Sequence, residues 1–121
     1  MNTILVIEDN QEIRENTAEL LGINHYHVLT AGNGDAGFQL AKTKRPDLIL
    51  CDMMMPGTDG QKFLQLAKED RVVRSIPLVF FSAGTALPYI QKELINAANG
   101  FLKKPFLEED LLTTIQNALA R

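Results

Sequence analysis

The sequence has no tryptophan, one cysteine and two histidines. With Cys51 as the single thiol, no internal disulfide can form, which suits a reducing compartment such as the cytoplasm. His25 and His27 have no third nitrogen or thiolate to complete a zinc site. No apolar stretch approaches the ~20 residues needed to span a bilayer. No secretory leader is expected, because Asn2 and Thr3 run straight into a short strand-like segment. Lysine and arginine are scattered, and the net charge is -3. That balance argues against a nucleic-acid surface, so neither direct nucleic-acid nor membrane binding is expected. Repeats, linkers and low-complexity tracts are missing as well. What is present is 121 residues, 45% hydrophobic and 22% charged, enough for one globular domain with one core. That domain is expected over 1–121. The last helical pattern runs to the end of the chain, so no output domain is expected in it.

Short apolar runs alternate with longer amphipathic stretches. Strands are expected over 3–7, 27–31, 48–51, 78–81 and 100–103. They are continuous apolar runs more than alternating ones, as in strands covered on both faces. Helical spacing appears at Ile13, Ala18, Leu20 and Leu21, then at Phe38, Leu40 and Ala41. It recurs at Phe63, Leu64, Leu66 and Ala67, at Ile90, Leu94, Ile95 and Ala98, and at Leu111, Leu112, Ile115, Ala118 and Leu119. Asn33-Gly34, Pro46-Asp47, Gly60 and Pro77 punctuate the boundaries. Asn99-Gly100 reads as the end of the fourth helix, with Gly100 as a left-handed cap. Five strands alternating with five helices predict an α/β fold, a mainly parallel sheet with helices on both faces.

The polar residues gather where the strands stop. Ile4-Leu5-Val6-Ile7 ends on Glu8 and Asp9, and Leu48-Ile49-Leu50-Cys51 ends on Asp52. Leu78-Val79-Phe80-Phe81 ends on Ser82, and Phe101-Leu102 runs into Lys103 and Lys104. Open α/β sheets bind ligands beyond the carboxyl ends of their strands. Three clustered carboxylates repel one another unless a cation lies among them. Oxygen-only ligands favour Mg²⁺, with Mn²⁺ possible. A carboxylate can attack phosphorus to form an acyl phosphate, a transfer that needs mainly positioning and charge neutralisation. An ammonium and a hydroxyl would serve a phosphoryl group as partners.

The whole chain resembles the receiver domains of bacterial response regulators, the chemotaxis-regulator type of fold. The resemblance rests on Glu8-Asp9, on Asp52-Met53-Met54-Met55-Pro56 with Gly60, on Ser82-Ala83, and on Lys104-Pro105-Phe106, in that order and spacing. It implies a doubly wound (βα)5, flavodoxin-like fold with strand order 2-1-3-4-5. It also implies a phosphorylation-activated switch of a two-component phosphorelay, not a turnover enzyme. By resemblance Asp52 is the phosphoacceptor. Asp9, Asp52 and the backbone carbonyl of Met54 are metal ligands, with Glu8 acting through water. Ser82, Ala83 and Lys104 bind the phosphoryl group, Ser82 and Phe101 switch, and Pro105 follows a cis bond. The implied partners are a sensor histidine kinase or phosphotransfer protein, and a target read by the face of the fourth helix, fifth strand and fifth helix. A monomer or weak dimer is expected.

The sequence departs from the family pattern in four places. Glu8 stands where Asp is common, and Ser82 where Thr is also common. Phe101 replaces Tyr, so no phenolic hydroxyl is available. Gly37 stands where the second helix usually has Ala, a cost of about 1 kcal/mol in helix propensity.

Taken singly, most of these residues have plainer readings. Asp9-Asn10 can cap the first helix, Ser82 can cap the next one, Lys104 can be a surface lysine, and Phe101 can be core. Met53, Met54 and Met55 cannot all point one way, so packing is the better reading of that run. Cys51 reads as a buried small hydrophobe, and His25 and His27 as loop and strand-edge residues. Asp59 and Glu108-Glu109-Asp110 read as solvated charges, the latter favouring a helix N-terminus. Two other functions compete. A haloacid-dehalogenase-type phosphatase would need a second acid where Met54 stands. A phosphorylation-independent binding module would not need the intact acid set. A flavin site is disfavoured because the first loop carries acids instead of a phosphate cradle.

Overall fold

The computed structural model describes residues 1–53, 60–82 and 98–120. Five strands, β1 (Thr3–Ile7), β2 (His27–Ala31), β3 (Leu48–Asp52), β4 (Leu78–Ser82) and β5 (Gly100–Lys103), form one sheet. All pairings are parallel, in the order β2-β1-β3-β4-β5. The helices are α1 (Gln11–Ile23), α2 (Gly34–Lys44), α3 (Gly60–Glu69) and the C-terminal helix (Glu108–Leu119), with a 3-10 turn at Val73–Ser75. The helix expected around 90–98 falls, apart from Ala98, outside the described residues. No described helix is long and apolar enough to cross a membrane.

The strands divide their side chains between two cores by simple alternation. Leu5, Ile7, Ile49, Cys51 and Phe80 pack under α2 and α3 with Ala41, Phe63 and Ala67. Ile4, Val6, Leu48, Leu50, Val79 and Phe81 pack under α1 and the C-terminal helix with Leu21, Leu111 and Ile115. Every residue of β3 and β4 is buried, which explains why their sequences show no polar alternation. Asp52 and Ser82 are themselves the last residues of their strands, which run one place further than the sequence suggests.

The connections follow local chemistry. Asn10, and not Asp9, caps α1: its Oδ1 accepts from the Ile13 N–H at 3.0 Å. Asp9 is therefore left for other work. Asn33 caps α2 through the Ala36 N–H at 2.8 Å. Helix α1 ends with His25 and Tyr26 donating to Gly22 and Leu21, and His25 sits at φ 71°, the left-handed position that glycine usually takes. Gly100 is not such a cap. It opens β5 opposite Val79, its backbone lies outside the left-handed region, and a Cβ there would stand 3.3 Å from Val79 Cγ2.

Gly37 also needs a different account from helix propensity. A Cβ at this position would lie 2.4 Å from Ile7 Cδ1 and 2.6 Å from its Cγ1. The missing side chain lets α2 lie directly on β1. Gly60 works similarly, since a Cβ would come 2.9 Å from the Met53 Cα while its N–H donates to the Met53 carbonyl at 2.7 Å. That approach seats the start of α3 beside the end of β3.

Candidate functional site

Strand alternation decides which polar residues meet. Glu8, Asp52 and Lys104 each follow by two places a residue of the core under α1, namely Val6, Leu50 and Leu102. They therefore continue that face of the sheet, Asp52 at the end of its strand and Glu8 and Lys104 just past theirs. Asp9 and Ser82 follow Ile7 and Phe80, which belong to the opposite core. The site is thus approached from both faces of the sheet at the ends of β1, β3 and β4.

Glu8, Asp9 and Asp52 each offer a carboxylate oxygen, and these oxygens all lie within 4.8 Å of one another. Glu8 and Asp52 are buried at 1% and 5% exposure, whereas Asp9 is exposed. Partial burial pushes the Asp9 carboxyl above its ordinary range, and the neighbouring Glu8 carboxylate adds to the shift. The donor set is all oxygen, the ligand type that hard cations take, and its exposed member is Asp9.

Lys104 is the cation of the pocket. Its Nζ bonds Glu8 Oε1 and stands 3.4 Å from Asp52 Oδ2. It also lies 4.4 Å from the centroid of the Phe81 ring, which in turn meets Phe106 edge-on at 6.2 Å. The aromatic face accommodates the positive charge. Lys104 precedes Pro105 across a cis peptide bond, and its own N–H donates to the Ser82 carbonyl at 2.7 Å. Lys103, by contrast, is exposed. Glu8 is held further by the Asn10 N–H on Oε2, at 3.2 Å.

Ser82 is 1% exposed at the end of β4. Phe101 is half-buried, pairs in register with Phe80 and packs against the core under α2 and α3. Met54 and Ala83 lie outside the described residues, as does Asp59. Cys51 is buried, as expected for a small hydrophobe. His27 is exposed on the edge strand β2, and Glu108, Glu109 and Asp110 form the first turn of the C-terminal helix.

Two contributors were not singled out from the sequence: Phe81 and Arg14. Phe81 could have been found by alternation, because it shares the parity of Val79 on the face that Lys104 continues. Arg14, whose Nη1 donates to the Glu8 carbonyl at 2.8 Å, gives no local signal in the sequence.

Comparison with known proteins agrees with this geometry. The sequence pattern of the family described as response regulator receiver domain matches residues 4–116. The chain is 33% identical over 116 residues to hybrid signal transduction histidine kinase D of Dictyostelium discoideum, covering 96% of this chain and 7% of that protein. It is 32% identical over 118 residues to the phosphate regulon transcriptional regulatory protein PhoB of Klebsiella pneumoniae, covering 98% of this chain and 52% of that one. The chain thus spans about half, or far less, of the length of these curated relatives. Among solved structures, the chemotaxis protein CheY4 of Vibrio cholerae superposes with a TM-score of 0.89 at 30% identity, over 98% of both chains.

Proposed function

The chain belongs to the response regulator receiver domain family of two-component signalling, and from that membership we propose that it is a phosphorylation-controlled switch with Asp52 as phosphoacceptor. The observation that carries this reading is the placement of Asp52. Its carboxylate ends a fully buried strand, within 3.4 Å of the Lys104 ammonium and beside the carboxylates of Glu8 and Asp9.

The phosphoryl donor is a phosphohistidine of a sensor histidine kinase or phosphotransfer protein. An Asp52 oxygen attacks phosphorus, the phosphorus–nitrogen bond breaks, and the departing imidazole takes up a proton. Lys104 supplies positive charge to the incoming phosphoryl oxygens, and the Ser82 hydroxyl donates to one of them. Asp9 and Asp52 would hold Mg²⁺, or Mn²⁺, directly, with Glu8 acting through water. The ion would supply charge neutralisation at the phosphoryl oxygens. Hydrolysis of the acyl phosphate by water returns phosphate and the free carboxylate, so the chain resets itself and turns over no separate substrate.

The readout is a population shift. The phosphoryl group favours the state in which Ser82 has turned toward it, because only there does it gain the hydroxyl's hydrogen bond, and Phe101 moves inward when Ser82 is engaged. A downstream protein then reads a face that includes β5 and the C-terminal helix. The fourth helix assigned to that face lies outside the described residues.

The test is treatment with acetyl phosphate and Mg²⁺, followed by intact mass. One phosphoryl group per chain is expected, removed by hydroxylamine and missing in Asp52→Asn. Label retained in that variant would sink the assignment. Millimolar Mg²⁺ should also raise the melting temperature, since the folded acid cluster binds it better than the unfolded chain.

A further inference from the structure

Arg14 lies on the second turn of α1 and contributes nothing to the carboxylate cluster itself. Its side chain reaches back toward β1, and Nη1 donates to the backbone carbonyl of Glu8 at 2.8 Å. The same guanidinium rests over Gly32. A Cβ at Gly32 would stand 3.3 Å from Nη1 and 3.8 Å from Cζ. One side chain therefore bridges the turn after β1, which carries both acids, and the turn after β2.

The two acids of the first turn are held very differently. Glu8 is fixed by its N–H to the Ala31 carbonyl at 3.0 Å, by Lys104 on one carboxylate oxygen and by the Asn10 N–H on the other. Asp9 is exposed; apart from a side-chain hydrogen bond with Glu8, its placement toward Asp52 follows from the backbone leading into it. The peptide between Glu8 and Asp9 is a rigid plane. Holding its carbonyl oxygen sets the direction from which the Asp9 side chain departs.

We propose that Arg14 is a positioning residue for the divalent-cation site: by clamping the Glu8 carbonyl against the Gly32 turn, it orients Asp9 toward Asp52. This inference rests on the Mg²⁺ reading of the acid cluster. Two physical effects of Arg14 oppose each other, and their signs differ. As a nearby positive charge it repels a second cation, so its removal would tighten Mg²⁺ binding. As a clamp it orders the ligands, so its removal weakens binding, by about tenfold on the scale of groups that orient metal ligands. The hydrogen bond is short and part-buried, and the guanidinium is braced by Gly32, so the ordering effect dominates.

The experiment is a calorimetric Mg²⁺ titration of the full chain and of Arg14→Gln, Arg14→Lys and Gly32→Ala, with unfolding curves in EDTA for each. Arg14→Gln should weaken Mg²⁺ binding about tenfold. Arg14→Lys keeps a charged donor of nearly the full reach, which the shorter Gln amide does not, and should recover a large part of the affinity. Gly32→Ala keeps every charge but crowds the guanidinium, and should weaken binding in the same direction as Arg14→Gln. Unchanged or tighter Mg²⁺ binding by Arg14→Gln would overturn the proposal, even with a lower melting temperature in EDTA. An Arg14→Lys variant as weak as Arg14→Gln would also overturn it. Absence of Mg²⁺ binding by the unaltered chain would instead remove the metal reading on which the proposal stands.

Discussion

Lys104 Nζ is shared between two buried carboxylates: it bonds Glu8 Oε1 and stands 3.4 Å from Asp52 Oδ2. Among the described residues, the three acids and the lysine of the pocket carry a formal charge of -2, which suits a divalent cation. Breaking a buried ion pair by removing one partner is costly because the other charge stays behind. Lys104→Met should therefore lower stability by about 3 kcal/mol in EDTA. Mg²⁺ should restore more stability to this variant than it adds to the unaltered chain, since it faces one more unpaired negative charge. Denaturant midpoints with and without Mg²⁺ check both statements, and equal Mg²⁺ responses would contradict the shared-lysine account.

Asp9 gives a pH dependence of definite sign. Burial and the Glu8 carboxylate raise its folded pKa above the ordinary aspartate value of 3.8. The folded chain then binds this proton more tightly than the unfolded chain. Its contribution favours folding at low pH and declines as pH rises from 3.8 through the raised folded value. In EDTA at neutral pH, Asp9→Asn should accordingly melt higher than the unaltered chain, and the gain should vanish below pH 3.8. The same variant should respond less to Mg²⁺, having lost a ligand. A melting temperature lower than that of the unaltered chain at neutral pH in EDTA would contradict the electrostatic reading.

The site was legible in the sequence because strand ends mark themselves. A run such as Leu48-Ile49-Leu50-Cys51 stopping on Asp52 reports both the strand and the sheet edge where the polar residues gather. The pairing of Lys104 with Glu8 and Asp52 went unread, since the sequence suggested only a phosphoryl partner for the lysine, although the two-residue alternation from Leu102, Val6 and Leu50 implies a shared face. What the sequence hides is contact across elements. Nothing near Arg14 in the chain reveals the Glu8 carbonyl it reaches, because that contact depends on how α1 docks. Gly100 was read as a helix cap from its Asn-Gly context, yet the crowding of Val79 places it in a strand. Local residue chemistry can suggest a turn there, but only the neighbouring strand decides.

His25 carries a local strain that the site does not use. At φ 71° a β-carbon costs roughly 1 kcal/mol or more that glycine would avoid. Its N–H still donates to the Gly22 carbonyl at 3.1 Å, a bond that glycine would retain. His25→Gly should raise stability by about 1 kcal/mol, with Mg²⁺ response and phosphorylation unchanged. A chemical denaturation curve measures the gain, and a loss of stability would show that the imidazole makes a compensating contact.

Gly37 sets helix propensity against packing, and the magnitudes choose between them. In an exposed helix interior, Gly→Ala gains about 1 kcal/mol. Here the added methyl would enter a space already held by Ile7, 2.4 Å from Cδ1 and 2.6 Å from Cγ1. Ile7 is fully buried in β1, one residue before Glu8, so it cannot give way without disturbing the strand that delivers the acids. Overpacking of this kind costs about 1–3 kcal/mol, which exceeds the propensity gain. Gly37→Ala should therefore destabilise the chain, and it should weaken Mg²⁺ binding as β1 shifts. Ile7→Val removes Cδ1 and one of the two closest contacts, so the double variant should be less destabilised than the sum of the single ones. Denaturation of the four species completes the cycle. Strict additivity would mean that the two side chains do not meet, and a gain in Gly37→Ala alone would mean that propensity governs this helix after all.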